Sequence, residues 1–232
     1  MQIDLSLERK DNTRALKFEM RRMVNAGYTG RNQEEVRRHI DELAVKGIPG
    51  PEKTPTLYPV IPQQLLPGAE GIEVYSKETC CEIEYVLLVE SRDNIYIGLG
   101  SDHTDRKLEE TDIPRAKQIC PNIMTTTVWP LEELADHWDA LIFRCWQTVD
   151  GEEALYQEGP LELIMNPDQL MDFVRSAIPG SLEGYAIFSG TIGNLAGGFV
   201  YGARVSMELE DPVLGRRLSL AYDIKPLDYI SV

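Results

Sequence analysis

The sequence predicts a β-rich α+β fold. Three observations carry this expectation. Apolar and polar residues alternate at period two in several segments, as half-buried strands require. Turn-forming residues separate those segments at hairpin spacing. Helical periodicity is confined to a few short stretches, without the regular strand–helix alternation of a parallel α/β sheet.

Residues 1–24 read as a β-hairpin. Ile3, Leu5 and Leu7 alternate with polar residues, and Leu16, Phe18 and Met20 do so after Lys10-Asp11-Asn12. Asn25-Ala26-Gly27-Tyr28-Thr29-Gly30 reads as a loop. A helix should follow, with Asn32 as N-cap and Glu35 three residues later, as in a capping box. Val36, Ile40 and Leu43 share one of its faces, and Gly47 and Pro49 stop it, so loop and helix occupy 25–48. Residues 49–70 form an extended connector holding six of the fourteen prolines (Pro49, Pro51, Pro55, Pro59, Pro62 and Pro67). Its apolar Leu57, Tyr58, Val60 and Ile61 tie it to the body, unlike a free linker.

From 71 to 232 strands dominate. Glu82–Glu90 and Ile95–Gly100 flank the turn signal Arg92-Asp93-Asn94. A short helix begins at Pro130, with Leu131, Leu134, Ala135 and Trp138 on one face. Residues 140–148 and 154–164 read as strands. Asn166-Pro167 opens a second helix that turns Leu170, Met171, Val174 and Ala177 inward and ends at Pro179-Gly180. Val205, Met207 and Leu209 pair with Leu218, Leu220, Tyr222 and Ile224 in a last hairpin about Pro212–Gly215. No internal repeat interrupts this order, and one domain over 1–232 is expected.

Charge narrows the function classes. The chain carries 23 Lys+Arg against 38 Asp+Glu, a net −15, which disfavours nucleic acid and anionic membrane surfaces as partners. The densest apolar run, Tyr85–Val89, is far shorter than the roughly 20 residues that span a bilayer. Met1-Gln2-Ile3-Asp4 does not read as a secretory signal. The four cysteines, Cys80, Cys81, Cys120 and Cys145, form no CxxC pair. Adjacent Cys80 and Cys81 point to opposite faces of a strand, so reduced thiols and a cytoplasmic location are expected. No G-x-S-x-G nucleophile elbow occurs.

The chemistry concentrates in acids. Glu82 and Glu84 are two residues apart on a strand and share a face. If Ser91 and Ile95 close a three-residue loop, Glu84 lies opposite Asp102 and Glu82 opposite Thr104, so Glu82, Glu84 and Asp102 converge. A two-residue loop would turn Asp102 to the other face. Three carboxylates with no imidazole or thiolate suit a hard cation, Mg²⁺ first and Mn²⁺ or Ca²⁺ after it. The bland alternative is a wet acidic sheet face without an ion. His103 should point away from the trio, and His137 should sit on the surface of its short helix.

Cys81-Glu82-Ile83-Glu84-Tyr85-Val86-Leu87 followed by Tyr96-Ile97-Gly98-Leu99-Gly100-Ser101-Asp102 resembles the metal-binding core of the fumarylacetoacetate hydrolase superfamily. Gly190-Thr191-Ile192-Gly193 resembles its Gly-Thr substrate loop, Lys117 falls where it carries a lysine, and His39-Ile40-Asp41-Glu42 resembles its His-x-x-Glu lid dyad. Gly30-Arg31-Asn32 and Ser101-Asp102-His103-Thr104-Asp105-Arg106 are similar to an uncharacterised bacterial branch. The likeness spans roughly residues 25–225. Two features depart from it: a short interval between Glu84 and Asp102, and no Pro after Thr191.

The resemblance implies the superfamily's C-terminal-domain fold with a short N-terminal lid helix and a homodimer. It implies a metal-dependent hydrolase or lyase cleaving a C–C bond in a small anionic 2-oxo acid or acylpyruvate through a metal-chelated enolate. Glu82, Glu84 and Asp102 would be metal ligands. His39, Glu42 and Lys117 would be catalytic, with His39 activating water, and Arg31, Arg106 and Thr191 would contact substrate. The alternative is a non-catalytic small-ligand-binding protein that keeps the fold.

Overall fold

The computed structural model describes residues 1–45, 50, 51 and 53–229, the side chains of residue 39 and residues 42–45 excepted. Among these residues the fold is a curled ten-stranded mixed sheet packed on a five-stranded one. No helix is long and apolar enough to cross a membrane.

Ile83–Val89 is the central strand. It pairs antiparallel with Ile95–Asp102 on one side and with Tyr185–Phe188 on the other. All seven of its residues are buried. Its odd-numbered side chains, Ile83, Tyr85, Leu87 and Val89, join the large core shared with Phe143, Cys145, Met207 and Leu209 of the second sheet. Its even-numbered Val86 and Leu88 join a smaller core inside the curl, with Leu5, Leu7, Phe18, Met20 and Phe188. An apolar run without alternation is what burial on both faces demands. The even-numbered face ends in Glu84, so the acids stand where the inner core stops.

The N-terminal hairpin forms as expected, Gln2–Glu8 against Thr13–Glu19, with Leu5 opposite Leu16. The expected loop from Asn25 is corrected: Arg22–Gly27 is a strand, parallel to Tyr185–Phe188 and antiparallel to Thr56–Val60. Tertiary pairing overrides the turn propensity of Asn-Ala-Gly there. The proline-rich connector likewise supplies two strands, Thr56–Val60 and Leu65–Pro67. The helix Gln33–Val45 starts where expected, and Asn32 Oδ1 accepts from the amides of Glu34 and Glu35 at 3.2 and 3.3 Å. Its proposed stop at Gly47 and Pro49 lies outside the described residues.

Three smaller readings are revised. The segment from Pro130 forms two 3₁₀ turns, Leu131–Glu133 and Ala135–Ala140, which still bury Leu134 and Trp138. The helix Pro167–Ala177 carries a full capping box at Asn166 and Gln169, but Ala177 is exposed and Phe173 is half-buried. His137 is not free on the surface, since its Nε2 lies 3.0 Å from the buried Asp211 carboxylate. The four cysteines are free and buried, as expected.

Gly98 and Gly100 do not interrupt the central hairpin. A Cβ at Gly100 would lie 2.7 Å from both Phe188 Cε1 and Val86 Cγ2 and 2.9 Å from the Ile123 carbonyl oxygen. Gly100→Ala should therefore lower unfolding free energy by about 1–3 kcal/mol through overpacking, read from the urea midpoint at unchanged m-value. An unchanged midpoint would show that this part of the sheet yields.

Candidate metal centre

The hairpin register decides where the acids meet. Glu90 donates its amide to the Asn94 carbonyl at 3.0 Å, and Asn94 donates to Ser91 Oγ at 3.1 Å. The three loop residues are thus Ser91, Arg92 and Asp93, one step earlier than expected. Glu84 lies opposite Gly100, and Asp102 donates its amide to the Glu82 carbonyl at 3.1 Å. The expected pairs Glu84–Asp102 and Glu82–Thr104 are therefore corrected, because the Ser91 hydroxyl closes the turn from its own side. The slip moves each pairing by two residues, and an even shift leaves every side chain on its face. Glu82, Glu84 and Asp102 still converge, each offering a carboxylate oxygen within 4.8 Å of the others.

Two short helices bring the countercharges. Asp105 caps Arg106–Glu109 by accepting from the Leu108 amide at 2.9 Å, and Ser76 Oγ donates to the other Asp105 oxygen at 3.0 Å. Asp112 and Pro114 open Ile113–Ile119, which buries Ala116 and Lys117. Gln118 locks that helix to the Thr56–Val60 strand through the Pro59 carbonyl and the Ile61 amide. Lys117 Nζ donates to Asp102, and to Glu82 at 3.2 Å. Arg106 donates to Glu82 at 3.1 Å and to Glu109 at 2.8 Å.

The three acids differ in their electrostatics. Burial alone would raise the Glu82 carboxyl, but Arg106 and Lys117 outweigh it and hold Glu82 at about 2. Burial, with Asp102 and Glu82 nearby, pushes Glu84 well above the ordinary carboxylate range. Burial also raises Asp102, against the pull of Lys117. Burial would lower Lys117, but Asp102, Glu82 and Glu84 raise it well above an ordinary lysine.

Whether these residues fit a cation can be read from their unpaired atoms. Glu84 Oε2 accepts from the Gly190 amide at 2.9 Å, while Glu84 Oε1 is buried and partnerless, as is Asp102 Oδ1. Buried carboxylate oxygens without donors are costly and rare. Two such residues, clustered with Glu82 so that each offers an oxygen within 4.8 Å of the others, are a hard-oxygen donor set that suits a divalent cation.

The other site residues divide. Thr191 anchors the loop: its hydroxyl donates to the Ile83 carbonyl at 2.8 Å and accepts from Gln157 at 2.9 Å, so that group is not open to substrate. Arg106 is 5 % exposed and held by Glu82 and Glu109. Arg31 grips Asp139 with both terminal nitrogens and the Ile164 carbonyl with Nε. The side chains of His39 and Glu42 lie outside the described residues. His103 is absent from the trio, as expected, and its Nδ1 lies 3.1 Å from the Tyr222 hydroxyl. Burial lowers His103 to about 3, so it is neutral.

Four residues escaped the sequence. Glu109 was legible, three residues after Arg106 on a helix, the spacing of an ion pair. Asn25 is fully buried beside Asp102. Tyr28 has φ +58°, an uncommon backbone for a residue with a Cβ, next to the site. Phe199 stacks its ring 4.4 Å from the Arg106 guanidinium carbon. No local pattern marks the last three, which depend on long-range packing.

Two outcomes follow. Glu84 keeps its proton to higher pH than an ordinary carboxyl and must release it to bind a cation. Mg²⁺ affinity should therefore rise with pH and weaken as pH falls, with proton release measurable by titration calorimetry in buffers of different ionisation enthalpy. Mg²⁺ binding without proton release would contradict this. Lys117→Met leaves Glu82 and Asp102 short of a buried partner and should cost about 3 kcal/mol of stability. Added Mg²⁺ should restore part of that loss, and urea melts with and without the ion are the check.

Comparison with known proteins bears on the fold. No curated protein matches the sequence. Among solved structures, the fold is shared with a protein from Oleispira antarctica described as a fumarylacetoacetate isomerase/hydrolase (TM-score 0.67, 18% identity, covering 95% of this chain and 98% of that one). It is shared with Cg1458 (0.64, 17%, 93% and 80%). It is also shared with 2-keto-3-deoxy-D-arabinonate dehydratase complexed with magnesium and 2,5-dioxopentanoate (0.63, 15%, 93% and 77%). The expected fold is thereby found. Residues 26–222 match the family described as protein of unknown function (DUF2848), and the chain belongs to that family, built on the fumarylacetoacetate hydrolase fold.

Proposed function

We propose that the chain is a divalent-metal-dependent hydrolase or lyase that cleaves a C–C bond in a small 2-oxo acid or acylpyruvate-like substrate. The observation that carries this is the trio Glu82, Glu84 and Asp102, within 4.8 Å of one another, with one oxygen each of Glu84 and Asp102 buried and unpaired. A structural neighbour complexed with magnesium and 2,5-dioxopentanoate supports the same reading.

Glu82, Glu84 and Asp102 would hold the ion, a hard cation because the donors are all carboxylates, with Mg²⁺ placed before Mn²⁺ or Ca²⁺ because three protein ligands leave positions for the waters it retains. When bound, a divalent ion supplies Lewis-acid polarisation of the substrate's carboxylate and keto oxygens. Lys117 places a fixed positive charge beside the acids and stabilises negative charge that develops next to them. Gly190 and Thr191 fix the loop: the Gly190 amide holds Glu84, and the Thr191 hydroxyl pins the loop to Ile83. A Cβ at Gly190 would lie 2.4 Å from Thr29 Oγ1, and the residue has φ +84°, so only glycine brings that amide to Glu84. His39 and Glu42 stand three apart in a helical segment and are assigned as the pair that takes a proton from water. A cytoplasmic homodimer is part of the same proposal.

The test combines binding and turnover. Titration calorimetry with Mg²⁺ or Mn²⁺ should give one site per chain that Glu84→Ala abolishes. A panel of acylpyruvates and 2-oxo acids followed by loss of enol absorbance should show metal-dependent turnover, reduced about 100-fold or more in His39→Ala with metal binding kept. A chain that binds no divalent ion would refute the proposal. One that binds the ion and turns over nothing in the panel would favour the non-catalytic alternative.

A further inference from the structure

Resting on the 2-oxo-acid reading above, we infer that the substrate carries a single carboxylate and an uncharged, apolar tail, and that Glu109 and Phe199 set this preference. Among the described residues, Arg106 and Lys117 are the cations that ion pairs tie to the three acids, and Glu109 is the further acid that Arg106 holds. Both cations are already paired, Lys117 with Glu82 and Asp102, and Arg106 with Glu82 and Glu109. A divalent ion balances two of the four carboxylates and the two cations balance the rest, so one substrate carboxylate already leaves the site negative. A second carboxylate on the tail would find both cations taken and Glu109 beside it, and like charges in a poorly solvated site repel strongly.

The surroundings supply apolar surface in place of charge. Phe199 covers the Arg106 guanidinium at 4.4 Å, yet half of its own surface (51%) stays exposed. The ring of Tyr58 lies 5.7 Å from Lys117 Nζ, and Tyr28 feels Glu82, Glu109 and Lys117 together. Three aromatic side chains thus stand around the charged groups. An aromatic surface left exposed beside a polar centre is where a ligand's apolar part gains by leaving water.

The full chain loaded with Mg²⁺ tests this by calorimetry with three ligands: oxalate, N-butyloxamate and N-oxalylglycine. The last two share a chelating head and differ in an apolar against a carboxylate tail. N-butyloxamate should bind about tenfold tighter than N-oxalylglycine or better. Glu109→Gln, which keeps a hydrogen bond to Arg106, should narrow that gap by about threefold or more by strengthening the dianion. Phe199→Ala should weaken N-butyloxamate by about threefold or more and leave oxalate unchanged. Equal or tighter binding of N-oxalylglycine overturns the inference, as does a gap that Glu109→Gln leaves unchanged. In both cases oxalate binding keeps the proposed function standing. If none of the three binds in a Mg²⁺-dependent way, the proposed function falls and the inference with it.

Discussion

Lys117 and Arg106 hold together what three neighbouring carboxylates would push apart. Glu84 and Asp102 have almost no access to water, and Glu82 has little. An isolated carboxylate in such surroundings would protonate or swing out. Lys117 bridges Glu82 and Asp102, Arg106 grips Glu82 from the other side, and the Gly190 amide holds Glu84. The arrangement is only partly satisfied, and that incompleteness gives it chemical potential. A fully paired cluster would have no vacancy for a ligand, and an unpaired one would not survive folding.

The sheet makes this economy possible. Ile83–Val89 is packed on both faces, so its backbone has no freedom to drift, and the acids at its start inherit that rigidity. Countercharges arrive from two short capped helices that are braced against the same sheet. The Gly190–Thr191 loop closes the arrangement from a third direction, tied to Ile83 and Gln157. An acidic cluster set on a sheet and steadied by helices and a loop is held more exactly than one built on loops alone.

Much of this was legible. Alternation in Gln2–Glu8 and Arg204–Asp211, the apolar run after Glu84, and the Asn166 cap all translate directly into structure because each is a local signal with a local cause. The convergence of the trio was legible through parity: a strand has two faces, so an error of two residues in register left the acids together. What failed was non-local. Arg22–Gly27 became a strand only because Tyr185–Phe188 and Thr56–Val60 flank it. The partners of Arg31 and Arg106 were not legible either, since Asp139, Glu82 and Glu109 reach them through space. Sequence spacing shows which charges exist, whereas their partners depend on tertiary contacts.

The unequal exposure of the trio has a kinetic meaning. Glu82 keeps 16% of its side-chain surface, against none for Asp102. On the proposed metal reading, Glu82 would be the carboxylate that a cation reaches first from solvent. Magnesium gives up its waters reluctantly, so a site reached from one side would load and release it slowly. Once seated, the ion would remain through many encounters with small molecules, behaving as a fixture of the fold.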